Sequence, residues 1–209
     1  MTSKTNLTIN PQRLWDSLMD TAQFGGTPKG GIKRLTVSDD DRQVRDWFKA
    51  ACEAAVTRAE WPARMQRLGP GALSSHVPAE AELWLDGGHN PSAGRVLAQA
   101  FSELNERHSR PLVMVWGMLN TKDVGSFIGC FAGIASRVIT ITIPDEENAV
   151  PAEKLAEAAR AHGLQAETAP GIDAALRQAS STVPAPRILI CGSLYLAGQV
   201  LKASGMIPD

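Results

Sequence analysis

The chain changes texture part-way along its length. Leu14, Trp15, Leu18, Met19 and Ala22 recur at helical spacing after Asn10-Pro11, which reads as an N-cap and a first helical residue. An amphipathic helix is therefore expected over residues 11–23. Ser38 with Asp41 resembles a capping box, and Val44, Trp47, Phe48, Ala51 and Ala55 mark one face of a second helix. Between them lies GGTPKGGIKR, residues 25–34, whose four glycines and one proline make it a loop.

Farther along, short β-rich runs alternate with helical stretches. ELWLD (82–86), LVMVWGM (112–118), VITITI (138–143) and RILICG (187–192) read as buried strands, with QAETA (165–169) a weaker fifth. Helical patterns occupy about 91–107, 123–133, 151–162, 171–181 and 194–204. This alternation predicts an α/β fold with a mainly parallel sheet. In such sheets ligands bind at the carboxyl ends of the strands. That rule points to Asp86-Gly87-Gly88-His89, Gly117-Met118 and Cys191-Gly192-Ser193.

Composition narrows the functional classes. The 209 residues are long for one compact domain and short for two. With 21 basic and 22 acidic residues the net charge is -1, so no global field attracts nucleic acid or an anionic membrane. No apolar run nears the ~18–20 residues of a membrane-spanning helix, and the first residues carry no signal-like apolar stretch. The three cysteines are far apart, which argues against a disulfide framework or a thiolate zinc site and for a reducing, cytoplasmic setting. The four histidines are scattered without a metal-ligand spacing, so no metal site is expected. There is no GxSxG elbow. In the glycine-rich loop, Ile32 stands where a P-loop needs its lysine.

LWLDGGHNPSAG (83–94) carries most of the candidate chemistry. A strand ending in Asp86, a diglycine turn and an Asn90-Pro91 helix start set a carboxylate and an imidazole beside free N–H groups that favour an anion. The same residues also fit a structural role, with Asp86 and Asn90 capping the helix and His89 facing solvent. Lys122-Asp123 and Ser193 likewise read as ligand contacts or as caps. Trp61 reads as a packing anchor, and Arg64 as an anion clamp or a solvated cation.

EWPARMQRL, LWLDGGHNPSAG, GMLNTKD and LICGSLYLAG, in this order and spacing, resemble the C-terminal domain of bacterial folylpolyglutamate synthase/dihydrofolate synthase, over about residues 57–205. That family belongs to the Mur ligases, which form amide bonds with ATP and Mg2+ through an acyl phosphate, and the domain is Rossmann-like. The resemblance implies that Arg64 reaches nucleotide phosphates and that Asp86 contacts the nucleotide. It implies that His89 lies near the nucleotide or the incoming glutamate, and that Ser193 lies near the glutamate. Lys122 and Asp123 match the family's KD pair, for which no role is assigned.

Residues 9–55 are similar instead to the N-terminus of N-carbamoyl-amino-acid hydrolases and allantoate amidohydrolases, two-metal enzymes whose ligands lie beyond this portion. The chain thus resembles a chimera of a helical segment, 1–56, and an α/β domain, 57–209, joined near Val56-Thr57. The synthase's P-loop domain is absent from these residues. The expectation is a ligase domain inactive alone, served by a separate P-loop chain, with the N-terminal helices docked or self-associating. A non-catalytic binding or assembly module, or an amidohydrolase fragment, are the competing readings.

Overall fold

The computed structural model describes residues 10–58, 61–181 and 184–206. The chain divides into two compact units, Met1–Glu60 and Trp61–Asp209.

The first unit holds helices α1 (Pro11–Ala22) and α2 (Asp39–Arg58). Asn10 Oδ1 accepts a hydrogen bond from the Arg13 amide at 3.0 Å, as its N-cap position requires. Ser38 Oγ accepts from the Asp41 amide, while the Asp41 carboxylate accepts from the Val37 amide, one residue earlier than a capping box demands. The Arg34 guanidinium donates to Thr21 O and Phe24 O, closing the open carbonyls that end α1. Arg34 is thereby spent on the backbone. No described residue of either helix is buried; Leu14, Trp15 and Leu18 are each about half exposed. Helix α2 runs through the expected 56/57 junction to Arg58.

The second unit is a six-stranded sheet flanked by helices. Its strands are β1 (Gln66–Arg67), β2 (Glu82–Leu85), β3 (Leu112–Trp116), β4 (Ala135–Thr140), β5 (Ala166–Thr168) and β6 (Arg187–Cys191), in the order β1-β2-β6-β3-β4-β5. Only β1 is antiparallel. The helices are α3 (Pro91–Arg107), α4 (Val124–Gly129), α5 (Ala152–Ala161), α6 (Ile172–Ser181) and α7 (Leu194–Ala203).

Alternate side chains of the central strands enter two separate cores, because successive side chains leave opposite faces of a strand. Val113, Val115, Ile188 and Ile190 pack with Leu176 of α6 and Leu196 and Val200 of α7. Leu112, Met114, Trp116 and Leu189 pack with Leu97 and Phe101 of α3, Phe127 of α4 and Leu155 of α5. Strands β2 to β5 step outward, then β6 returns between β2 and β3. That reversal opens a crevice above the ends of β2, β6 and β3.

Two elements depart from expectation. Strand β4 covers 135–140 instead of 138–143: Ala135 and Arg137 pair with β3 on either side of a register shift at Ser136, so the ladder begins before the apolar run. Ile141 and Ile143 remain buried beyond the strand, with the Ile141 amide bonded to Trp116 O. Helix α4 stops at Gly129, well short of residue 133; glycine favours helix ends over interiors.

At the opposite end of the sheet Glu82 gathers cations. Arg187, 2% exposed, donates from Nε at 2.7 Å, Arg110 Nε lies 3.6 Å away, and the Trp84 indole N–H also donates. Burial pushes the Glu82 carboxyl up, but Arg187, the Trp84 N–H and Arg110 together hold it below its ordinary value.

Candidate functional site

The site is assembled from the turns after β2 and β6 and the loop before β1. Asp86 follows β2 and is 5% exposed. Its Oδ1 accepts from the Gly88 amide at 2.6 Å and its Oδ2 from the Met65 amide at 2.8 Å. It therefore caps no helix. Asn90 does so, accepting from the Ala93 amide at 2.9 Å, with Pro91 opening α3. The half-buried His89 donates from Nδ1 to Gly87 O at 2.8 Å, which leaves Nε2 without a partner among the described residues.

The 61–65 loop is fastened to the same turn. The Gly87 amide donates to Ala63 O at 2.8 Å, and the Ala63 amide donates to Gln66 Oε1 at 2.8 Å. Arg64 is exposed, and its guanidinium has no partner among the described residues. Trp61 is 71% exposed, so it is not the packing anchor its type suggested.

Gly192, after β6, binds that turn to the first: its amide donates to Gly88 O at 3.0 Å. Its φ of +108° and its close approach to Gly117 O require glycine, since a Cβ would sit 2.4 Å from that oxygen. A Cβ there would also fall 2.8 Å from Trp116 Nε1, a buried donor with no hydrogen-bond partner among the described residues. Ser193, 3% exposed, caps α7 by accepting from the Tyr195 amide. Cys191 is buried, and burial, then the Asp86 charge, push its thiol well above the usual range.

Two clefts share His89. One of about 480 Å3 is lined by Arg64, Met65, Asp86, His89, Asn90 and Ser92. The other, about 390 Å3, brings His89 together with Lys122, Glu146, Asn148, Ser193 and Tyr195. Arg64, Asp86 and His89 thus border one cleft, and His89 and Ser193 the other. Glu146 and Asn148 escape a sequence reading. They reach the cleft through a bridge between Leu119 and Ala149, which no local pattern announces. Asp123 caps α4, and the Ser126 backbone N–H holds its carboxyl below the ordinary range.

The family model for the Mur ligase, glutamate ligase domain matches residues 63–194. The chain belongs to that family. It is 31% identical over 169 residues to folylpolyglutamate synthase of Lacticaseibacillus casei, covering 77% of this chain and 38% of that protein. A probable bifunctional folylpolyglutamate synthase/dihydropteroate synthase of Haloferax volcanii is 31% identical over 160 residues, 76% of this chain and 18% of the other. This Mur ligase domain shares its fold with Mycobacterium tuberculosis folylpolyglutamate synthase complexed with ADP and AMPPCP. The TM-score there is 0.61 at 22% identity, over 81% of this chain and 39% of the other. The Yersinia pestis bifunctional synthase complexed with AMPPNP and Mn gives 0.59 at 22% identity, over 82% and 36%. The chain spans well under half the length of these synthases. Over 50 residues, 24% of this chain and 12% of the other, the chain is 44% identical to N-carbamoyl-L-amino-acid amidohydrolase of Rhizobium meliloti.

Proposed function

We propose that residues 57–209 are the C-terminal half of an ATP-dependent ligase site of the folylpolyglutamate synthase kind, adding glutamate to a folate carboxyl group. The observation that carries this reading is the convergence of Arg64, Asp86 and His89 on one cleft at the carboxyl ends of the strands. An unpaired guanidinium beside the capped start of α3 suits a phosphate. ATP, when bound, supplies the phosphoryl group that activates the acid. Arg64 holds phosphate oxygens, Asp86 braces the nucleotide side of the cleft, and His89 and Ser193 face the amino acid.

The described residues fit only one wall of a nucleotide site. No group of three or more His, Cys, Asp or Glu among them could hold a metal ion; in this proposal Mg2+ is held largely by the nucleotide phosphates and the P-loop side of the site. The sequence contains no GxxxxGK[ST] segment to cradle β- and γ-phosphates. We assign the P-loop to a domain outside these 209 residues, propose a cytoplasmic setting, and expect these residues alone to be inactive. No helix of the described residues is long and apolar enough to cross a membrane, and neither membrane nor nucleic acid is a proposed partner.

Residues 1–56 are proposed as an amidohydrolase-like segment joined to this domain, a chimera, on the strength of the 50-residue similarity. Equilibrium dialysis with ATP and glutamate tests the ligase reading. Weak nucleotide binding, on the order of millimolar, lost in Arg64→Ala, supports it. No binding of either ligand favours a non-catalytic module, and bound zinc by metal analysis favours the amidohydrolase.

A further inference from the structure

We propose that Asp86 is a positioning residue: its carboxylate fastens the 61–65 loop in a left-handed backbone conformation and so presents Arg64 to the cleft. The inference rests on the nucleotide reading above and adds to it a division of labour. Arg64 touches the ligand, and Asp86, which lines the same cleft, also acts through Arg64.

The geometry comes from the residues on either side of Arg64. Ala63 has φ 57° and Met65 has φ 42°, and neither is glycine. Such residues resist the left-handed region because Cβ crowds the following carbonyl. Two of them flanking one arginine persist only where neighbours over-determine them. Three hydrogen bonds do so: Gly87 N–H to Ala63 O, Ala63 N–H to Gln66 Oε1, and Met65 N–H to Asp86 Oδ2, each at 2.8 Å. Asp86 is the partner that links both structures, since its other oxygen holds the Gly88 amide at 2.6 Å. A side chain that is 5% exposed, with an N–H on each oxygen, is built to brace backbone. An asparagine there would turn an NH2 group toward one of the two N–H donors, leaving a donor unpaired.

Two variants separate positioning from direct contact. Asp86→Ala frees both amides that the carboxylate holds, whereas Met65→Gly removes most of the cost of the left-handed conformation. Amide exchange of residues 61–67 is read on the full chain without ligand, and ADP is the probe for binding. Asp86→Ala is expected to speed exchange at Met65 and weaken ADP binding, each on the order of tenfold. Met65 lines the cleft, so Met65→Gly serves as its own reference, and adding Asp86→Ala to it costs several-fold less than in the unaltered chain. An unchanged Met65 exchange rate in Asp86→Ala, or an equal binding loss in both backgrounds, overturns the proposal in favour of direct contact alone. If the unaltered chain binds no ADP, the nucleotide reading fails, and the exchange data alone decide whether Asp86 braces the loop.

Discussion

Replacing Gly192 by alanine tests how tightly the two turns of the site are joined. The new Cβ would meet Gly117 O at 2.4 Å and Trp116 Cδ1 at 2.6 Å, and the residue would keep φ +108°. The backbone conformation costs about 1–3 kcal/mol for a residue with a side chain. Forcing the methyl group against a backbone oxygen and a buried indole adds about 1–3 kcal/mol. The lower entropy of the unfolded alanine chain returns roughly 0.4–1 kcal/mol. A net loss of about 1–6 kcal/mol follows, centred on about 3, which is roughly 6–12 °C in Tm at about 2–4 °C per kcal/mol. Gly163→Ala is the control: its φ is +80° but nothing lies within 4 Å of its Cβ, so only the conformational part is lost. Urea denaturation of both variants measures the difference. Equal losses in the two, or less than about 1 kcal/mol at Gly192, would refute the close-approach argument.

Asn90→Ala removes the cap of α3 and is expected to cost about 1 kcal/mol in denaturant unfolding. The lowered Glu82 carboxyl makes stability pH-dependent: its contribution is complete above the unfolded value of about 4.3 and is lost as pH falls below it. Glu82→Gln should therefore flatten the acid limb of a Tm-versus-pH curve, and an unchanged limb would contradict the assignment. Trypsin should cut early after the exposed Lys29 or Lys33 and leave a resistant fragment spanning residues 82–191; rapid digestion through 112–143 would contradict the parallel-sheet core.

Much of the α/β unit was legible because its signals are local. Asn90-Pro91 fixed the start of α3, and the apolar runs of β2, β3 and β6 coincide with strands to within two residues. Strand β1 spans two residues, too few for any periodicity, and β4 begins before its apolar run because Ala135 and Arg137 already pair with β3. The candidate residues were legible as types and not as contacts. Asp86 looks like a helix-start carboxylate in sequence, yet it holds the Gly88 amide and that of Met65, 21 residues earlier. Gly192 is visible as a glycine, but the oxygen that demands it belongs to Gly117, in the turn after β3. Such long-range pairings leave no trace in local spacing.

The central claim is that this chain provides one wall of a ligase site and needs a P-loop domain to act. The direct measurement is glutamate- and ATP-dependent extension of a folate substrate by purified chain, alone and mixed with the P-loop domain of a folylpolyglutamate synthase. No product is expected from the chain alone. Product is expected in the mixture and should fall by about tenfold or more in Arg64→Ala, the size expected for a lost charge-assisted contact. Turnover by the chain alone, abolished by Asp86→Ala, would contradict it, as would a mixture whose activity ignores Arg64.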